Sequence, residues 1–560
     1  MPHATPERFA PALLDVLGDN YTLARLRQDA LAGLTVAIVA LPLSMAIAIA
    51  AGGTPAMGLY TAIVGGFVIS ALGGSRYQIG GPAGAFIVLM AATMAEHGLA
   101  GMILATMLAG AMMLLIGFLR LGSYIKFIPF PVTVGFSAGI AVIIFFSQIK
   151  DLLGLTLTGP EPGPVLEKLP VLWASLPSAN GVTMALAATT IFLIVALRRW
   201  APRLPNLLVA VVATTGAATL LGLPTPTIES AFGAVPAGLP MPALPQFDVA
   251  LLLAVVPNAI AFALLGSIEA LLSAVVADGM SGQRHNSNME LVAQGLANLA
   301  VGLFGGMVAT GTVARTATNV RAGAHGPVAG MLHAVFILAF MLVAAPLVGF
   351  VPLASLAGVL AVVAWNMIER DAIRALFRGA RADAAVLMVT LLLTVFRDLT
   401  EAIIVGFALG SVLFIHRMSK AAEVVEQRHP VPAAEEDAID PEIVVYRIRG
   451  AFFFGATASV GRVLDRISDR YRGLLIDFSD VTLIDSSAAH LIEGLVHKAR
   501  RRGIEVMLTG TTHELRRQLF AHGLKPPEVS YESGLSLGLS KLRHKLDRRN
   551  VAPANEPAPA

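Results

Sequence analysis

The chain has 560 residues, 56% of them hydrophobic and 14% charged, with a net charge of +3 and no cysteine. Ordinary globular domains carry about 25% charged residues, so a soluble enzyme of usual make is excluded. Disulfides, thiolate metal sites and a cysteine nucleophile are excluded too, and the charge is too small to argue for nucleic acid. The depletion is uneven: 38 of the 77 charged residues fall in the last 140 positions, so a membrane domain precedes a soluble one.

Residues 1–29 carry Glu7, Arg8, Asp15, Asp19, Arg25, Arg27 and Asp29 without an apolar core. This is not a secretory signal; it reads as a cytoplasmic segment, either a surface helix or a polar lead-in. A bilayer core of about 30 Å takes about 20 apolar residues per helix. The transport domain, 30–418, then holds fourteen segments near 30–51, 57–73, 82–95, 99–120, 124–148, 180–198, 204–223, 250–277, 290–304, 313–320, 326–346, 349–367, 382–396 and 399–416.

Basic residues in short loops favour the cytoplasmic side. With the N-terminus inside, the even loops hold Arg76, Arg120, Lys126, Arg198, Arg199, Arg203, Arg284, Arg321, Arg370, Arg374, Arg378 and Arg381. The odd loops are nearly free of base; Lys150, Lys168 and Arg397 are exceptions, each near an acidic residue. Both termini are therefore expected in the cytoplasm.

The third and tenth segments are too short or interrupted to cross alone. Gly80-Gly81-Pro82 cannot continue a helix, and proline suits a first helical turn. Extended backbone is thus expected to end near Gly81, with a half-helix from Pro82. A second glycine-rich stretch, Gly305 to Thr312, precedes another short helical piece containing Val313, Ala314 and Arg315. Interrupted segments at matching places in two halves point to a transporter site, and a separation of seven fits a seven-plus-seven inverted repeat. The facing N-terminal ends would favour an anion, bound by Gly81, Ala83, Gly84, Ala85, Thr312, Val313, Ala314 and Arg315; the bland alternative is that the glycines only allow close helix packing.

Glu269 is a lone carboxylate in the apolar eighth segment, and such groups in membranes are costly and usually functional. It reads as the proton-coupling residue, against the alternative of a structural partner. Arg315 adds a permanent cation if it faces inward rather than snorkelling. Ser44 and Gln78 are weaker candidates for the cavity wall, and 284–288 reads as a structural loop. No HExxH, phosphate loop or dinucleotide fingerprint occurs, so neither metal nor cofactor is expected, and no enzyme.

After a linker at 419–437, residues 438–526 alternate strands (443–448, 473–478, 504–508) with helices (456–468, 487–501, 512–520), a small α/β domain. Asp485 and Ser486 stand at a strand-to-helix junction; capping explains both, and phosphorylation of Ser486 is the sharper regulatory reading. Residues 527–560 read as a disordered tail.

Leu72 to Arg76 running into Gly80-Gly81-Pro82, Gly266 to Glu269, Ala277 to Met280, Asn286 to Gly295, Arg315-Thr316 and Asp485 to Ser487 together resemble the sulfate permease (SulP, solute-carrier 26) family, from about residue 20 to 523. The C-terminal part resembles a STAS (sulfate transporter and anti-sigma antagonist) domain. The resemblance implies fourteen spans in core and gate domains, a homodimer in a bacterial inner membrane, an elevator-like movement of the core, and a cytoplasmic partner for the STAS domain. It places substrate between the third and tenth spans, beside the eighth. Sodium-coupled bicarbonate members carry aspartate at the position of Glu269 and threonine at that of Val313, which favours proton coupling here. Phosphorylated STAS proteins use a serine matching Ser486, but the glycine that follows is Ala488. The nearest likeness is to aerobic C4-dicarboxylate transporters, implying succinate or fumarate uptake by symport. Sulfate or bicarbonate transport, an uncoupled anion conductor and a nucleobase carrier are the alternatives.

Overall fold

In a computed structural model the described residues are 9–551, apart from 20, 123–128, 160, 163, 203, 246–247, 398, 422, 427–441 and 458–470. Lys126, Arg203, most of the linker, most of the predicted 456–468 helix and positions 552–560 lie outside them. The chain divides into two units, Met1–Ala408 and Leu409–Ala560.

Every predicted span is matched by a helix. Nine helices among the described residues are long and apolar enough to cross a bilayer. One of these, Ile87–Phe118, contains two predicted spans, divided where Gly98 leaves the helical region at φ 65°. The others are shorter: Asn206–Leu220, Ser287–Leu303, Val313–Arg321 and Arg381–Phe396. Packing partners exchange when each span is advanced by seven. The first span packs on the eleventh and the eighth on the fourth, where Gly266 meets Met113; the second packs on the eleventh and the ninth on the fourth, where Gly295 meets Gly110; the fifth packs on the thirteenth and the twelfth on the sixth. That exchange is what a repeated half requires.

The first span begins at Leu23 rather than 30: its first turns, with Leu23, Leu26 and Arg27, are exposed, and the helix is anchored by its one buried charged residue. Asp29 is fully buried and accepts the His325 and Gly326 N–H groups at 2.6 and 3.1 Å and the Tyr21 hydroxyl at 2.6 Å. Before it, Ala12–Gly18 forms a short helix whose first N–H donates to the Gly73 carbonyl. Two of the three exceptional loop cations are explained locally: Lys168 pairs with Glu161 at 2.8 Å and Arg397 with Glu401 at 3.5 Å.

The second unit holds a five-stranded sheet, β3 (Glu423–Glu426), β4 (Ile443–Phe452), β5 (Gly473–Ile484), β6 (Glu505–Thr509) and β7 (Ser530–Glu532), in that spatial order; only β3 runs antiparallel to its neighbour. β3 was not expected in the linker. Alternate residues of β4 serve opposite faces, as a period of two demands. Val444, Tyr446 and Ile448 join the core under the helices Ser486–Arg501 and His513–Ala521. Ile443 and Val445 meet the helix Leu535–Val551 on the other face. That helix and β7 correct the expectation of a disordered tail: Leu539, Leu542 and Leu546 recur at helical spacing and cover the second face of the sheet, which a parallel sheet needs.

Candidate functional site

Two short extended pieces meet deep among the spans. β1 (Gly80–Gly81) and β2 (Thr310–Gly311) pair antiparallel, with Gly80 opposite Gly311 and Gly81 opposite Thr310. Non-helical backbone at this depth must be satisfied by protein, and side chains supply the bonds. Asn298 Oδ1 accepts the Ala309 N–H at 2.9 Å while its Nδ2 donates to the Ala309 carbonyl at 2.8 Å. Thr61 Oγ1 accepts from Met307 N at 2.9 Å, and Thr316 Oγ1 from Ile79 N at 3.2 Å. Thr310 donates its hydroxyl to the Gly266 carbonyl of the eighth span at 3.1 Å.

Short helical pieces leave both strands. After β2, Thr312 is the extended residue before the helix Val313–Arg321. After β1, Pro82 is not helical and Ala83 is extended, a single 3₁₀ turn runs Gly84–Phe86 and the α-helix starts at Ile87. The half-helix therefore opens two residues later than proline alone suggested: Ala83 is still extended, and the Pro82 carbonyl is used as an acceptor.

That acceptor serves Arg315, which is 2% exposed. Its Nη2 donates to the Pro82 carbonyl and to Ser44 Oγ, each at 3.1 Å, and its Nη1 to the Gly80 carbonyl at 3.4 Å. Ser44 in turn donates to the Ala40 carbonyl at 2.7 Å. Arg315 thus bridges the first span, β1 and the tenth span, and faces inward rather than to lipid. Glu269, half-buried on the eighth span, is the charged group whose field Arg315 feels, and the reverse holds. The two do not form an ion pair within 4.0 Å, and Glu269 Oε2 is buried without a hydrogen-bond partner. Thr312 Oγ1 and Arg315 Nε are likewise buried and unpartnered. Unpaired buried polar groups are costly, and here a carboxylate, a hydroxyl and a guanidinium N–H come from two adjoining spans. Ala83 and Ala85 are buried, Gly84 and Val313 partly so, and Ala314 is exposed.

Sequence reasoning missed a second buried carboxylate. Glu290, fully buried, accepts Ser75 N at 3.1 Å, Gln78 Nε2 at 3.0 Å and Gln294 Nε2 at 2.8 Å. Gln78 also donates to the Ala270 carbonyl, next to Glu269, at 3.1 Å. An available signal was the i, i+4 pair Glu290–Gln294, Glu290 being the one ionisable residue of the helix Ser287–Leu303. In the second unit, Asp485 caps its helix by accepting Ala488 N at 2.9 Å, and it also accepts Phe454 N at 2.9 Å. Ser486 is exposed on the first turn. Among the described residues, His490, Glu493 and His522 form the one set whose metal-ligating atoms lie within 4.8 Å of one another.

Residues 26–390 match the sulfate permease family and residues 436–531 the STAS domain. The chain is 39% identical to a Bacillus subtilis protein named "Putative sulfate transporter YvdB", over 90% of this chain and 95% of that one. It is 30% identical to the bicarbonate transporter BicA of Picosynechococcus, over 88% and 90% of the two chains. The murine Slc26a9 anion transporter has the same fold, with a TM-score of 0.84 at 17% identity, covering 97% of this chain and 96% of that one.

Proposed function

The chain belongs to the sulfate permease family of anion transporters, and we propose that it is a proton-coupled symporter taking up small anions by an elevator-like movement of its core. The relatives are transporters, not enzymes. The observation that carries the reading is the guanidinium of Arg315, fixed on the carbonyls of Gly80 and Pro82 and on Ser44, with Glu269 as its charged counterpart.

The mechanism follows from the signs of these charges. Two helix N-termini and Arg315 favour a negative solute. Ionised Glu269 offsets that field and weakens anion binding. Protonating Glu269 removes the opposing charge, so proton and anion each raise the other's affinity, as linkage requires. Glu269 and Val313, in place of aspartate and threonine, support a proton rather than sodium as coupling ion.

The likeness to C4-dicarboxylate carriers favours succinate or fumarate as substrate. The names of the relatives favour sulfate or bicarbonate at least as strongly, and a guanidinium with backbone N–H donors serves any of these oxyanions. The protein in this reading is a homodimer of the bacterial inner membrane with both termini in the cytoplasm, and its STAS domain offers a surface for a cytoplasmic protein. Uptake of labelled succinate, fumarate, sulfate and bicarbonate into proteoliposomes, with mutual competition and an imposed pH gradient, is the test. Acid-outside stimulation of one of them supports symport; flux that ignores the pH gradient, or current without coupling, leaves an anion conductor instead.

A further inference from the structure

Spans five (Phe130–Leu153), six (Gly181–Trp200) and twelve (Leu353–Met367) enclose a cavity of about 730 Å³, away from the candidate anion site. Its wall is apolar, with Val142, Phe145, Ile194 and Val362 among its residues. Phe145 and Val195 are exposed, so the cavity opens sideways through faces that a bilayer would cover. At one end stand Arg198, Trp365, Asn366 and Arg370. The volume falls in the range of about 300–1,000 Å³ usual for ligand clefts.

Both arginines are held in place but neither is neutralised. Arg198 Nη1 donates to the Asn366 side-chain oxygen at 2.9 Å, and the Arg370 guanidinium lies over the Trp365 ring, 4.7 Å from its centroid. No carboxylate lies within 4.0 Å of either among the described residues; Asp371 pairs with Arg374 instead. A neutral amide and an aromatic face orient a guanidinium without cancelling its charge. Trp365 at such a mouth suits the membrane–water boundary, and both arginines belong to the loops that the charge pattern assigns to the cytoplasm.

We propose that this cleft is a binding site for an anionic phospholipid of the inner leaflet, its acyl chain between spans five, six and twelve and its phosphate on Arg198 and Arg370. An apolar slot ending in paired cations matches that amphiphile along its length, and a zwitterionic headgroup would bring a second cation against the arginines. The same walls reach the candidate site from their other side: a Cβ at Gly84 would lie 3.6 Å from Ile144 of span five and from Met367 of span twelve. A lipid in the cleft therefore bears on the two spans that flank the half-helix after β1.

The test uses the full chain in detergent, titrated with phosphatidylglycerol or phosphatidylcholine of identical acyl chains and counted by native mass spectrometry. Two arginines near the headgroup predict at least roughly tenfold tighter binding of phosphatidylglycerol. R198A/R370A brings the ratio near one, R198K/R370K keeps part of it, and R374A/R378A, outside the cleft, keeps all of it. Each variant is first required to elute as the unaltered chain does on size exclusion. Equal binding of the two lipids, undiminished selectivity in R198A/R370A, or displacement of the lipid by glycerol phosphate alone would overturn the proposal.

Discussion

Gly81 and Arg315 are fitted to each other: a Cβ at position 81 would collide with Nη1 of the arginine. The glycine is therefore the opening through which the guanidinium reaches Gly80, Pro82 and Ser44. Arg315→Ala should raise the KM for the transported anion at least roughly tenfold, the loss of one charge-assisted contact. Gly81→Ala should reproduce much of that effect with Arg315 present. Uptake kinetics in proteoliposomes check both, and an unchanged KM in Arg315→Ala removes this residue from the site.

Glu269→Gln mimics the protonated side chain. Wild-type uptake should fall as pH rises and Glu269 ionises, whereas the variant should bind anion across the range and lose its response to a proton gradient. Flux at pH 5.5 to 8.5 measures this. A variant whose pH profile overlays that of the wild type would assign the coupling elsewhere.

Asp29 holds the beginning of the first span against the turn after the tenth. Asp29→Ala leaves the His325 and Gly326 N–H groups without their acceptor, at about 2–4 kcal/mol in total. Asp29→Asn keeps one oxygen and should lose less. Thermal unfolding of the solubilised chain ranks the two, and an unaltered Tm for Asp29→Ala would contradict the assignment.

In the second unit Asp477 is fully buried and accepts Arg447 Nε and Ser479 Oγ at 2.7 Å and Thr509 Oγ1 at 3.2 Å. Arg447 is 23% exposed and has Asp480 at 4.0 Å, so removing Asp477 costs about 1–3 kcal/mol, the penalty of buried donors left without an acceptor. Asp477→Ala should therefore accelerate hydrogen exchange across β5 and β6, and Asp477→Asn should do so less.

Tyr531 donates to the Leu524 carbonyl at 2.7 Å, and burial pushes its hydroxyl up to about 12 against the opposing charge of Arg516. The folded chain thus holds this proton more tightly than the unfolded one. Its contribution to stability is intact below about pH 10 and is lost as pH rises from there to about 12. Tyr531→Phe should have a shallower decline of Tm over that window; identical slopes would refute the shift.

Much of this molecule is local in origin. Runs of about 20 apolar residues dictate bilayer spans, and Gly80-Gly81-Pro82 and Gly305 to Thr312 forbid helix wherever they occur, so the fourteen segments and both breaks are legible from residue order. Alternation in Ile443 to Ile448 fixes a strand for the same reason. Leu535–Val551 escaped because its apolar spacing was masked by polar neighbours and needed the exposed face of a sheet to be recognised.

What tertiary structure alone decided is which distant groups meet. Residue types place Arg315 and Glu269 on separate helices but say nothing of distance or direction; packing of the repeated halves turns Arg315 onto Ser44 and Pro82 and sets Glu269 within its field. The Glu290–Gln78 bond and the pairing of Arg198 with Asn366 join positions 212 and 168 residues apart. Hydrophobic patterning acts through near neighbours along the chain, whereas a buried charge finds its partner only after helices have closed around it, and that closure is a property of the whole fold.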